Sequence, residues 1–249
     1  MKSDVKHGRI NNKKDFSQKK EKTMHTDTHI IHDAPYPLPL ALLLKIRKTV
    51  SPLNRSKWDK TIREKLDGIE FSIFSNNCLA GYFYHDAGRE FTSPTINLSF
   101  DGPDFIRFLE NPQHYLSMDP VFIDTGKTFP VGLIGDIEIN FVHYKTEQDA
   151  LDAWNRRKER IVWDNIFIVA TDHDGLYLPE MLERFDALPY KNKIMFTAQN
   201  YPQYPWAIQV SQFKKRNNVR IMSAFANMRG QRYYETCFDI AGWIQSCSK

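Results

Sequence analysis

The chain has 249 residues, 41% hydrophobic and 26% charged, the profile of an ordinary globular protein with enough apolar residues for a core. Its longest apolar run, "LPLALLL" at 38–44, falls well short of the roughly 20 residues that span a bilayer, and the polar start has no secretory pattern, so a cytoplasmic protein without a transmembrane segment is expected. The net charge of +4 is concentrated in residues 1–22, where eight Lys or Arg face three acids; the remainder stands at −1, which argues against nucleic-acid binding by a folded body.

Residues 1–38 read as a basic disordered tail and linker, whose charge suits at most a peripheral contact with an anionic membrane surface. Within it His25, Asp27, His29, His32 and Asp33 suggest metal ligands, but the neighbouring prolines and the missing apolar frame offer no rigid support, and no metal site is expected. An α/β domain is placed at 39–249, as one body or as two lobes dividing near 118–130. Helical spacing begins near residue 40, and Trp58, Ile62 and Leu66 recur along one face. A strand at about 69–74 leads into "SNNCLAG", and "TINLSF" at 95–100 reads as the next strand. Asp101 is placed to cap "GPDFIRFLEN", a helix that Pro112 stops.

"DIEINFVHY" at 136–144 alternates Ile137, Ile139, Phe141 and His143 on one face, the pattern of a strand with one apolar side. The helix "TEQDALDAWNRRKER" follows, with Thr146 in a capping position. "NIFIVAT" at 165–171 is apolar throughout, as suits a strand buried on both faces. Strand, helix, strand predicts a right-handed βαβ unit with parallel strands. "LPEMLERFDAL" adds a helix and "KIMFTA" a strand, while "WAIQVSQF" and "VRIMSAF" are further strand candidates. The expected fold is α/β, an open, mainly parallel, Rossmann-like sheet with flanking helices.

Ligands of such sheets collect beyond the carboxyl ends of the strands, which selects the polar loops "SNNCLAG", "HYKTE", "TDHDG" and "TAQNYP". Ser75, Asn76 and Asn77 would stand at a helix amino terminus, able to cap it or to hold a phosphate or carboxylate. Cys78 occupies a position that favours a thiolate nucleophile, but its sequence neighbour His85 lies about two helical turns away, too far for direct contact. His143, at the carboxyl end of a strand, is a candidate general base or else a core histidine beside Phe141. "DHD" at 172–174 resembles the carboxylate pair with which many glycosyltransferases hold a divalent metal on a nucleotide sugar, although turn chemistry explains it equally well. Arg156, Arg157 and Arg160 share a helix, and Arg157, beside Trp154 and Ile161, borders its buried stripe. Cys78, Cys237 and Cys247 are odd in number and lack metal-ligand spacing, which suits a reducing compartment.

Taken together, "SNNCLAG", "SPTINL", "FPVGLIGDIEINFVHY" and "AWNRRKERIVWDNIFIV" resemble an uncharacterised bacterial domain-of-unknown-function family often labelled exopolysaccharide biosynthesis protein. The resemblance covers about residues 68–215 and is carried by Asn77-Cys78, Ser93-Pro94-Thr95, His143-Tyr144 and the set Trp154, Arg157, Arg160, Ile161. It implies an α/β fold and a polysaccharide-locus association, and it supplies neither catalytic residues nor a cofactor. The resulting expectation is an enzyme of surface-polysaccharide biosynthesis (capsule, exopolysaccharide or O-antigen), a transferase using a nucleotide-activated sugar. In that reading His143 and Asp172 are catalytic, and Ser75, Asn76, Asn77, Cys78, Ser93, Thr95, Tyr144, Arg157 and Arg160 bind a small-molecule or glycan substrate. The alternatives are a hydrolase or acyltransferase with Cys78 or Ser93 as nucleophile, and a non-catalytic assembly factor at the membrane surface.

Overall fold

The computed structural model describes residues 38–219 and 221–248. The tail and its histidine–aspartate run lie outside these residues. Leu42–Lys249 form one compact unit. In chain order its helices are α1 (Leu38–Leu53, its first turn preceding the unit), α2 (Ser56–Lys65), α3 (Leu79–Asp86), α4 (Gly102–Glu110), α5 (Pro112–Leu116), α6 (Glu147–Lys158), α7 (Pro179–Ala187) and α8 (Ile240–Cys247). The strands are β1 (Ser72–Phe74), β2 (Ser99–Phe100), β3 (Val121–Ile123), β4 (Val131–Ile134), β5 (Ile137–Asn140), β6 (Ile166–Thr171), β7 (Lys193–Thr197) and β8 (Ala207–Gln209). No helix among the described residues is long and apolar enough to cross a membrane.

β1, β6, β7 and β8 form a wholly parallel sheet in the order β1-β6-β7-β8. Side chains alternate across a strand, so this sheet feeds two cores. Ile73, Phe167, Val169 and Phe196 pack with Ile62 of α2, Phe83 of α3 and Ile244 of α8. Phe74, Ile168, Ala170 and Met195 pack instead with Phe105 and Phe108 of α4, Ile139 of β5 and Trp154 of α6. Burial on both faces explains the unbroken apolar run of β6. The chain is therefore α/β with a mainly parallel principal sheet.

A second sheet, β2-β5-β4-β3, is antiparallel throughout, and it corrects the βαβ expectation. β5 pairs only with β2 and β4, so α6 does not connect it to a parallel neighbour in the same sheet. The local cause is a tight hairpin: Ile134 pairs with Ile137, and Gly135 between them takes a left-handed φ of 59°, which a glycine reaches without steric cost. The short parallel crossover is β6–α7–β7. Two further strand expectations are corrected. Of 95–100 only Ser99–Phe100 is strand, because Asn97 turns the chain at φ 63°; "VRIMSAF" makes only an isolated bridge between Phe225 and Arg232.

The carboxyl-terminal segment is tied down by buried charge. Asp86, at the end of α3, accepts from Arg55 Nη2 at 2.9 Å and from Arg232 Nε and Nη2 at 2.6 and 2.9 Å. Glu235 accepts from Arg55 Nη1 and Nη2 at 2.6 and 2.7 Å, and Asp59 from Arg55 Nε at 2.7 Å. Each charge of this cluster thus meets an opposite one, which offsets the cost of removing ions from water.

Candidate active site

The loop after β1 is built by the side chains that follow it. Asn76 is fully buried; its Oδ1 accepts from Thr171 N and its Nδ2 donates to Thr171 O, both at 3.0 Å. The amide group stands in for a peptide and extends the β1–β6 ladder past the end of β1. At the same time Asn76 O accepts from Phe100 N of β2 at 3.0 Å, so this one residue joins both sheets. Asn77 continues the brace: Oδ1 accepts from Leu79 N at 3.0 Å and Nδ2 donates to Thr171 Oγ1. The asparagines thereby fix both the start of α3 and the position of Cys78, its N-cap residue.

Cys78 Sγ lies 3.0 Å from His143 Nε2. His143 is not a core histidine, because β5 ends at Asn140 and a turn closed by Tyr144 N donating to Phe141 O at 3.0 Å lifts it out of the apolar face. His143 is exposed and Cys78 half-buried, so the pair opens to solvent. His85, the sequence neighbour, is solvent-exposed beside Asp86 and takes no part. A thiol and an imidazole at this separation can exchange a proton, leaving a nucleophilic sulfur next to a group that returns the proton to a leaving group.

Tyr144 and Arg157 form the adjoining wall. Arg157 is only 7% exposed; its Nη1 donates to Ile96 O at 2.7 Å, and its guanidinium lies 4.8 Å from the Phe91 ring centre and 5.8 Å from that of Tyr144. Burial holds the Arg157 pKa below its usual value, with Tyr144 opposing that shift. Burial also raises the Tyr144 phenol, with Arg157 opposing the rise.

The other expected residues are placed differently. Asp172 has no exposure, and its carboxylate accepts from Ala198 N and Val219 N, each at 2.7 Å. It binds the end of β6 to the segments after β7 and β8. Burial pushes its pKa up to about 6 against those two hydrogen bonds. Asp174, the second acid of "DHD", sits at φ 53° and offers its backbone oxygen to Gly102 N at 2.6 Å. A Cβ on Gly102 would lie 2.7 Å from Leu176 N, so the start of α4 needs a glycine there.

Ser93 and Thr95 are both fully buried, with their hydroxyls 3.0 Å apart, and Thr95 Oγ1 accepts from Ser75 N at 3.1 Å. Ser75 Oγ is buried without a hydrogen-bond partner. Arg160 lies on the surface, 3.2 Å from Glu90. Among the described residues no group of three or more His, Cys, Asp or Glu is arranged to hold a metal ion. A cleft of about 190 Å³ between α2 and α8, lined in part by Trp58, Phe83 and Tyr234, contains none of the site residues.

Sequence reasoning missed Thr171, which receives both asparagines, and the pairing of Cys78 with His143. No local signal announces that pair, since 65 positions separate its members.

A family model described as "Domain of unknown function (DUF1919)" matches residues 49–245. A protein of Haemophilus influenzae described as "Uncharacterized protein" is 37% identical over 200 residues, covering 80% of this chain and 96% of the relative.

Proposed function

As the chain belongs to the DUF1919 family, we propose that it is a cysteine-dependent acyl-transfer enzyme in which Cys78 is the nucleophile and His143 the general base and acid. The observation that carries this reading is the 3.0 Å separation of Cys78 Sγ and His143 Nε2 at a solvent-accessible junction of two sheets. His143 takes the thiol proton as sulfur attacks the carbonyl of an ester or thioester; the carbon–oxygen or carbon–sulfur bond breaks, and the leaving group departs with that proton. An acceptor hydroxyl then loses its proton to His143, attacks the enzyme thioester and releases the Cys78 thiol. A glycan hydroxyl is the acceptor that the resemblance of the sequence to exopolysaccharide-labelled proteins would suggest, with water as the hydrolytic alternative.

The nucleotide-sugar transferase is less well supported. It assigns Asp172 a catalytic or metal-binding part, whereas both oxygens of that carboxylate are committed to backbone N–H groups. The test is alkylation by iodoacetamide followed by peptide mass spectrometry. Cys78 is expected to react faster than the exposed Cys247, and His143→Ala to slow Cys78 by about 100-fold, the lower end of what a positioned base supplies. Labelling of Cys247 ahead of Cys78, with no effect of the His143 change, would overturn the proposal.

A further inference from the structure

We infer that the substrate carries an oxyanion, a carboxylate or a phosphate, which Arg157 and Tyr144 hold beside the Cys78 sulfur; this deepens the cysteine-nucleophile reading and rests on it.

The first observation is an uncompensated charge. Arg55 and Arg232 are 5% and 7% exposed, and each is paired with a carboxylate. Arg157 is equally buried at 7%, yet among the described residues no Asp or Glu pairs with it. Glu90 pairs with Arg160, at 3.2 Å. Tyr144 does not supply the missing charge, because burial raises its pKa and keeps it a neutral phenol. A guanidinium presents five N–H donors in a planar fork; the Ile96 carbonyl engages part of that fork, and the Tyr144 ring lies over it with its centre 5.8 Å away. A buried cation without a counter-ion is costly, and an oxyanion is the ligand that a planar fork fits best.

The second observation is position. Arg157 and Cys78 are both seated on the same short segment: Arg157 Nη1 donates to Ile96 O at 2.7 Å, while Cys78 Sγ contacts Leu98 O at 3.9 Å. His143 meets the sulfur, and its chain neighbour Tyr144 faces the guanidinium. An anionic substituent on Arg157 would therefore leave the rest of a small substrate directed at the thiol. Phe91 and Tyr144 flank the guanidinium and keep it from turning away to solvent.

The two arms of the test separate this inference from the reading beneath it. Alkylation rates of Cys78 by iodoacetate and by iodoacetamide are measured at about pH 7, with N-acetylcysteine as the reference thiol. The wild-type preference for the anionic reagent should exceed that of N-acetylcysteine by about tenfold, the scale of one charge pair near a protein surface. Arg157→Gln should abolish most of that excess in the ratio of the two rates, which cancels any change in thiolate fraction, while iodoacetamide still labels Cys78 ahead of Cys247, which reports a folded site. Arg157→Lys, which keeps the charge without the fork, should retain part of it. In the wild type, inorganic phosphate and acetate should each slow iodoacetamide labelling, and the stronger protector identifies which oxyanion the site prefers. An unchanged preference in Arg157→Gln overturns the anion site and leaves the nucleophile intact. If Arg157→Gln does not fold, absence of protection by both anions in the wild type overturns the inference. Failure of both reagents to label Cys78 ahead of Cys247 overturns the nucleophile itself.

Discussion

Replacing Asp172 by Asn tests whether burial or hydrogen bonding governs the carboxylate beneath the site. The side chain has no exposure and receives two backbone N–H groups at 2.7 Å. Asn presents only one acceptor oxygen, so either the Ala198 or the Val219 N–H meets an amide donor and is orphaned, at a cost of about 1–3 kcal/mol. The pH dependence is more diagnostic. A folded pKa of about 6, above the ordinary 3.8, means that the folded state binds more protons than the unfolded state between those values. Stability from this group is fully present below the lower value and is lost as pH rises through about 6.

Integrating that difference, Asp172 adds almost nothing near pH 7 and on the order of 1 kcal/mol near pH 5. Asn does not titrate, and the other groups are common to both proteins. Urea denaturation at the two pH values should therefore show the gap between wild type and Asp172→Asn widening by on the order of 1 kcal/mol on acidification. A gap that stays unchanged would refute the reasoning, because both pH values would then lie above a folded pKa that the two N–H bonds hold at or below the ordinary value. Such a result would reassign Asp172 as a permanently ionised clamp.

Two further substitutions probe the frame of the molecule. Among the described residues, Asp86→Ala removes the only carboxylate bound by the Arg232 guanidinium and one of three bound by Arg55; a loss of about 3–5 kcal/mol in denaturant titration is expected, the range for leaving a buried charge unpaired, and a loss below about 1 kcal/mol would show that the cluster contributes as a surface pair does. Thr146→Ala deletes the hydroxyl that accepts from Asp149 N at 3.1 Å at the start of α6. Thermal unfolding should report about 1 kcal/mol of destabilisation, with Cys78 alkylation unchanged; a change in that rate would show that α6 reaches the thiol more directly than through Arg157.

Much of the frame is legible in the residues themselves. The capping threonine of α6, the apolar run of β6 and the stripe Ile62–Leu66 on α2 each depend on neighbours within a few positions, and each occurs where local pattern places it. The site was legible only in parts. Asn77, Cys78, His143, Tyr144 and Arg157 stand out by residue type and by position at the ends of elements, but the rule that selected "HYKTE" presumed that β5 lay in the parallel sheet. It lies in the other sheet, and His143 reaches Cys78 because Asn76 joins the two sheets. Asp172 resembles half of a metal-binding pair in sequence, and only its two backbone donors distinguish it from one.

Local order in this chain, its helices, its strand of β-branched and aromatic residues and its turns at Gly135 and Asn97, follows from short-range sterics and burial, which the order of amino acids alone determines. Which strands become neighbours, which histidine meets the thiol and whether a buried arginine finds a carboxylate are matters of long-range pairing. Those contacts join residues tens of positions apart, and they arise only when two cores close on the faces of one sheet and leave Asn76 to bridge what lies between them.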